Sequence, residues 1–242
     1  MGQAQRENSV SFGRRLAGTF FLPGRTFKAL AERPLWVDAL IVVLILISLY
    51  TYFIFPYGQK DNLQSMEENA AKLKGKWGET GYAGEVERIK AQNRSLHAFL
   101  VTPLTYLFVL LFSALIVLGT GSLVSTRGNY LQVFSMLLHA NFVDKLLGNG
   151  LRLYLISRRG SAFQTPTSLA VLLPRPDAMP IACALLGQVD LFQLWTFCLF
   201  GIGLAAAFKI NLRKGLIISF ALWLLKSALA AAIIILRIRF VQ

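Results

Sequence analysis

The chain has 242 residues, of which 55% are hydrophobic and 15% charged, and its formal net charge is +13 at pH 7. Soluble domains carry about 25% charged residues, so this composition excludes an ordinary soluble domain and indicates a membrane protein. The Lys and Arg residues lie in short clusters beside apolar segments rather than in one patch. That distribution is typical of membrane topology signals and argues against nucleic-acid binding.

The first 35 residues form a basic segment that also carries bulky apolar side chains. A Pro-Gly pair divides the segment, and Pro34 ends it. We expect two short amphipathic pieces that lie on the membrane surface, with a disordered basic tail as the alternative. The apolar residues expected to dip into the bilayer are Phe20, Phe21, Phe27 and Leu30.

Five segments meet or approach the length of about 20 apolar residues that a helix needs to cross a bilayer core. They cover residues 36–56, 99–118, 130–156, 190–208 and 215–236. Each is predicted to be a helix, because a helix satisfies its own backbone hydrogen bonds in lipid. The sequence therefore predicts an all-α membrane protein, with a bundle of five transmembrane helices at residues 36–236 and a short tail at residues 237–242.

The longest polar segment is residues 57–97, which carries charges of both signs at helical spacing. We expect it to form a helical hairpin or two short helices that stand off the membrane. With five spans, the N-terminal segment and the second and fourth connections lie on one side, and they carry the larger positive charge. This bias predicts a cytoplasmic N-terminus and an extracytoplasmic 57–97 loop.

The third predicted span carries polar residues on one arc of its helical wheel, and leucines cover most of the rest. The candidate residues of this polar seam are Asn141, Asp144, Lys145, Asn149 and Arg152. Ionisable residues at membrane depth are expected to face the bundle or water. Two interpretations stay open: the seam lines a cavity, an ion path or a partner contact, or the helix lies near the interface and its Lys and Arg reach the headgroups.

Lys226 lies in the middle of the fifth predicted span and is a second intramembrane charge. Asp144 is the only acid in the interior of any predicted span, so we predict an ion pair between the two residues. Such a pair would join the third and fifth helices.

The sequence contains no hydrolase, phosphate-loop or zinc-protease motif. Its two Cys residues form no CxxC motif, and its two His residues are far apart. We therefore expect no enzymatic activity and no cofactor or metal site.

Two stretches of the chain resemble the Yip-domain family, particularly its bacterial members. Residues 20–27, Phe-Phe-Leu-Pro-Gly-Arg-Thr-Phe, and residues 32–36, Glu-Arg-Pro-Leu-Trp, resemble the Pro-x-x-Thr-Phe and Pro-x-Trp patterns before the family's first span. Residues 190–195 and 201–204 resemble the Asp-x-Phe-x-x-Trp and Ile-Gly-Leu signature that opens its fourth span. The loop at residues 167–170 is also similar.

The resemblance implies a five-helix membrane domain with a cytoplasmic N-terminus. Eukaryotic members of the family interact with Rab-type GTPases in vesicle traffic, and no functional residue is carried over from them. We predict a multi-pass protein of a bacterial inner membrane that acts in membrane assembly, organisation or partner binding. Its expected partners are the lipid bilayer and a membrane protein or a second copy. The alternative function is a small transporter or channel subunit that uses the polar seam.

Overall fold

The computed structural model describes residues 11–162, 167–173 and 179–241. These ranges are helical, without a β-strand. The helices are α1 (Phe12–Phe21), α2 (Pro23–Glu32), α3 (Val37–Glu68), α4 (Ala70–Lys90), α5 (Arg94–Leu96), α6 (Thr102–Ser122), α7 (Tyr130–Phe142), α8 (Asn149–Arg159), α9 (Pro180–Leu186), α10 (Leu191–Phe208) and α11 (Leu212–Val241). Wider π turns, His97–Val101 and Val143–Gly148, join α5 to α6 and α7 to α8, and a 3-10 turn covers Leu169–Leu172. Residues 1–10 of the predicted basic segment lie outside the described residues.

Four stretches of the described chain are long and apolar enough to cross a membrane. They are Val37–Glu68, Arg94–Ser122, Leu191–Phe208 and Leu212–Leu236. α10 is the most buried of the four. Inside the protein, 39% of its 18 residues are buried, against 17–22% of an apolar 18-residue stretch in each of the other three. The third predicted span is not among the four, because its polar side chains lower its mean hydropathy. The fold is thus a helical multi-pass membrane protein with at least four candidate crossings.

α7, its π turn and α8 form a continuous helical segment that runs parallel to α3. At its start, the Gln132 side chain donates to the Ala31 carbonyl in the last turn of α2 at 2.5 Å, and the Ser135 hydroxyl donates to the Leu35 carbonyl just before α3 at 3.2 Å. At its far end, the Asp61 carboxylate in the last part of α3 accepts from the Ser161 hydroxyl at 3.0 Å and from the Ala162 N–H at 2.5 Å. The segment therefore accompanies α3 along most of its length.

α10 packs antiparallel to this segment and forms the centre of the apolar core. Its N-cap, Asp190, lies at Arg152 in α8, and its last residue, Phe208, lies at the turn between α6 and α7. There the Ser125 hydroxyl donates to the Phe208 carbonyl at 2.6 Å. The largest fully buried apolar side chains belong mainly to α2, α7 and α10 and include Phe27, Leu30, Met136, Leu138, Phe142, Leu204 and Phe208.

The N-terminal helices pack onto the bundle instead of resting on its surface. Phe27 and Leu30 are fully buried in the core with α7 and α10, so the expectation that these two residues enter lipid is wrong. The reason is the small residue Gly203 in α10, where an added Cβ would lie 3.2 Å from the Phe27 ring. Phe21, by contrast, remains largely exposed.

α3 continues to Glu68 and passes through Pro56, where the sequence predicted its end. A proline has no N–H, so Pro56 leaves the Tyr52 carbonyl without its helical partner. The Arg94 Nε donates to that carbonyl at 2.6 Å, and the guanidinium lies 3.6 Å from the centre of the Tyr52 ring. This contact from the start of the next apolar stretch compensates for the missing helical bond.

The 57–97 segment is built from the last part of α3 and from α4, which pack side by side. Met66, Leu73 and Ile89 form a small separate apolar cluster between them. The Tyr82 hydroxyl donates to the Met66 carbonyl at 3.3 Å, and the Gln59 amide donates to the Ile89 carbonyl at 2.7 Å. The segment is therefore a helical hairpin that extends one end of the bundle.

Candidate intramembrane ion network

Arg152 in α8 is the centre of a buried polar cluster. Its Nη2 lies 2.9 Å from Asp190 Oδ1 and 2.8 Å from Asp144 Oδ1. Its Nε donates to the Thr167 hydroxyl at 2.9 Å, and its Nη1 donates to Asn149 Oδ1 at 3.1 Å. The guanidinium thus forms three hydrogen bonds, to Thr167, Asn149 and Asp190, although only 8% of the side chain is exposed. The arrangement fixes the Arg152 side chain between two helices and a loop.

Asp190 connects the cluster to the start of α10. Its Oδ1 accepts from the backbone N–H groups of Phe192 at 2.9 Å and Gln193 at 3.1 Å, which is the geometry of a helix N-cap. Its Oδ2 accepts a short hydrogen bond from the Thr167 hydroxyl. A single backbone bridge between Ser168 and Asp190 holds the loop beside this cap. One carboxylate therefore caps α10, pairs with Arg152 and anchors the loop at residue 167.

Asp144 and Lys145 lie on the π turn that precedes α8. The Lys145 Nζ lies 2.6 Å from Asp144 Oδ2, while the other carboxylate oxygen faces Arg152. That second contact is electrostatic, because the Asp144 Oδ1 atom lacks hydrogen-bond geometry to its neighbours. The Asn149 N–H bonds to the Asp144 carbonyl five residues back, which is the wide spacing of a π turn. From this turn Asp144 contacts Arg152, which in turn contacts Asn149.

Gly148 allows the cluster to pack closely. An added Cβ at this position would lie 3.1 Å from Arg152 Nη1, from Asp144 Oδ1 and from the Phe192 Cβ. These distances are shorter than ordinary van der Waals contact. Arg152, Asp144 and α10 can therefore approach one another because residue 148 has no side chain.

Asn141 belongs to the same side of the segment but contacts a different partner. The Tyr106 hydroxyl in α6 donates to Asn141 Oδ1 at 3.0 Å, and the Asn141 amide donates to the Leu137 carbonyl at 2.7 Å. The Lys145 Nζ lies 5.3 Å from the centre of the Tyr106 ring. The predicted seam thus continues from the cluster towards α6.

The predicted ion pair between Asp144 and Lys226 is wrong. Lys226 in α11 donates a short hydrogen bond to Gln193 Oε1 in α10, and Asp144 is held by Lys145 and Arg152. α11 packs mainly on α10, so the nearest polar side chain for Lys226 is the amide on that helix. Lys226 is exposed, in contrast to the buried Asp144 and Arg152.

The structure thus brings together four of the six predicted residues, which are Asp144, Lys145, Asn149 and Arg152. It adds Asp190 and Thr167, which sequence reasoning did not include among the site residues. An Asp directly before an apolar run is a helix N-cap signal, and this signal could have identified Asp190. The four charged groups balance, with two cations and two carboxylates, and the contact of Arg152 with Asp190 links α8 to the start of α10.

These features define the class of the protein: a multi-pass α-helical membrane protein whose ionisable residues at bundle depth form a buried network. A family model for the Yip1 domain matches residues 17–234, which is most of the chain. The chain belongs to the Yip1 domain family. Neither the comparison with curated proteins nor that with solved structures gives a match.

Proposed function

We propose that the protein acts without catalysis as a membrane organiser, which assembles with a second copy or with another membrane protein. The observation that carries this proposal is the pairing of Lys145 and Arg152 with Asp144 and Asp190 inside the bundle. A carrier or channel needs ionisable groups that can exchange partners with an ion or with water. Ionisable groups that pair with one another in a neutral cluster instead connect the helices that carry them.

A fifth crossing by residues 130–159 is part of the proposal. The three pieces of this segment have 13, 6 and 11 residues, together 30. At about 1.5 Å per residue they reach about 45 Å, which exceeds a bilayer core of about 30 Å. The segment lies beside α3 and α10, both of which are apolar enough to cross. Its low hydropathy is explained by polar side chains that face these neighbours instead of lipid.

The proposed orientation places the N-terminus in the cytoplasm of a bacterial cell, with the protein in the inner membrane. Basic residues of the α6–α7 turn, of the α10–α11 turn and of the first turn of α11 support it, since they lie at the same end of the bundle as the start of α3. They are Arg127, Lys209, Arg213 and Lys214. The sequence resemblance to bacterial members supports the location.

Flux and assembly measured on the same preparation test the function. Liposomes that contain the full-length protein and a pH-sensitive dye are expected to leak protons and potassium no faster than protein-free vesicles. In mild detergent, light scattering is expected to give a complex heavier than the 26.9 kDa monomer, or one with a co-purified membrane protein. Recovery of monomer alone contradicts the proposal. So does a flux that Lys145→Gln abolishes and the peripheral control Arg159→Gln leaves unchanged, which favours a transporter.

Cysteine labelling tests the five crossings and the orientation. In a chain with Cys183 and Cys198 replaced by Ser, single cysteines are placed at Glu67, Arg127 and Arg159. A membrane-impermeant maleimide added to intact cells is expected to label positions 67 and 159, and to reach position 127 only after lysis. Labelling of 127 and 159 from the same side contradicts a crossing between them.

A further inference from the structure

The turn between α1 and α2 lies beside the apolar part of α10. The Phe20 and Trp195 rings are edge-to-face with centroids 6.2 Å apart, and Phe27 packs at Gly203. The two contacts place the turn alongside residues 195–203 of a helix that is long and apolar enough to cross a membrane. At this turn Phe21 is 81% exposed and Leu22 is 55% exposed. Because they lie beside a candidate span, these side chains face acyl chains rather than water.

α1 and α2 together form a second helical hairpin, the α1–α2 hairpin. It is packed against the bundle, so the direction of its outer face is fixed. Arg15 of α1 pairs with Asp38 at the start of α3, and Thr19 is fully buried. α1 and α2 approach each other closely at Gly18, where an added Cβ would clash with the Thr26 hydroxyl. The exposed residues of the hairpin are thus presented by a packed element and not by a loose tail.

Three cations project from the outer face of this hairpin. Arg14, Arg25 and Lys28 are exposed, and none forms an ion pair with another residue of the described ranges. Glu32 is the one acid between residues 12 and 32. From this turn α2 runs towards the end of the bundle where α3 begins, since the Ala31 carbonyl near its end accepts from Gln132. Long basic side chains on α2 can extend that way to a phospholipid headgroup, which is the anion that a bilayer supplies.

We propose that the α1–α2 hairpin is a binding surface for anionic phospholipid. Phe21 and Leu22 lie between the acyl chains, and Arg25 and Lys28, one helical turn apart on α2, bind the headgroup. This assignment is independent of whether the protein assembles with a partner, since it concerns a different surface from the buried ion network.

Native mass spectrometry of the full-length protein in detergent tests the assignment. The probes are dioleoyl phosphatidylglycerol and dioleoyl phosphatidylcholine at equal concentration. The wild type is expected to retain phosphatidylglycerol, the anionic lipid, in preference to phosphatidylcholine. The double variant Arg25→Gln/Lys28→Gln is expected to lose this preference, by about tenfold or more, because each basic side chain contributes several-fold. The control Arg158→Gln/Arg159→Gln removes the same charge at the other end of the bundle and is expected to behave as wild type.

Three outcomes overturn the assignment. They are a wild type without preference for the anionic lipid, a hairpin variant that keeps it, and an equal loss in both variants, which indicates diffuse attraction to the net positive charge. Salt gives a second measurement that needs no variant. Retention of phosphatidylglycerol by the wild type is expected to fall as KCl rises, and retention that is insensitive to salt also overturns the assignment.

Discussion

Arg152 and Asp190 join two helices across 38 residues of sequence, with 2.9 Å between the guanidinium Nη2 and the carboxylate Oδ1. Neither side chain has meaningful exposure, at 8% and 0%. A buried ion pair is costly to break, because removal of one partner leaves the other charge without compensation. The Asp190 carboxylate also caps α10, so this one residue both satisfies N–H groups at the helix N-terminus and balances the charge of Arg152.

Asp190→Asn is expected to lower the free energy of unfolding by about 3–5 kcal/mol, because Arg152 keeps its charge and loses a carboxylate. Unfolding in detergent followed by circular dichroism measures the effect. The control Glu79→Gln, an exposed acid in the 57–97 hairpin, is expected to change stability by less than about 1 kcal/mol. The double variant Arg152→Met/Asp190→Asn is expected to lose less than the sum of its single variants. Strict additivity contradicts the direct coupling.

Gly148→Ala is expected to destabilise the protein by about 1–3 kcal/mol, although Ala is normally the better helix former. The added methyl group would crowd Arg152, Asp144 and Phe192, each 3.1 Å away. Gly150→Ala is the matched control, since nothing lies within 4 Å of its added Cβ. Thermal unfolding of both variants is the measurement, and we expect the control to be neutral or more stable. Equal behaviour of the two variants contradicts the close packing at residue 148.

The two lysines of the predicted site are expected to differ in their effect on stability. Lys226 donates to a neutral amide on an exposed surface, so Lys226→Met is expected to be neutral or stabilising. Lys145 pairs with buried Asp144, so Lys145→Met is expected to destabilise by about 1–3 kcal/mol. Expression level and melting temperature in detergent compare them.

Exchanging the charges of Asp144 and Lys226 tests whether these two side chains interact. If the variant Asp144→Lys/Lys226→Asp recovered the expression lost in Asp144→Lys, the two side chains would interact directly. We expect no recovery, because Asp144 lies between Lys145 and Arg152.

The sequence predicted the helical class and the apolar spans because both depend on composition over about 20 residues, which needs no tertiary information. It also placed four cluster residues on one helical face, since that face follows from the helical period. The third predicted span, residues 130–156, is not among the four candidate crossings, because its polar residues lower its mean hydropathy. Asp144 could not be matched with Arg152 from spacing alone, because the intervening π turn depends on hydrogen bonds that have no composition signal.

Lys226 shows a different limit of sequence reasoning. Pairing it with Asp144 followed from a count of the charges within the spans, and this count omits partners at helix ends and neutral acceptors. Asp190 lies just before α10 and Gln193 within its first turn, yet both contact charged side chains of other helices. The partner of Lys226 depends on how α10 packs against its neighbouring helices, so it could not be predicted without the fold.

Arg94 and Pro56 are expected to be energetically coupled through the Tyr52 carbonyl. Arg94→Ala is expected to cost about 1.5–3 kcal/mol in the wild type, because this carbonyl then loses its charged donor. In a Pro56→Ala background the cost is expected to be smaller, since the new N–H at position 56 can supply the helical bond. A double-mutant cycle from chemical unfolding measures the coupling.

Arg88→Ala, which removes only an exposed pair with Glu85, is expected to cost less than about 1 kcal/mol in both backgrounds. An Arg94→Ala cost that is the same in both backgrounds would show that Arg94 acts through the Tyr52 ring and not through the carbonyl that Pro56 leaves free.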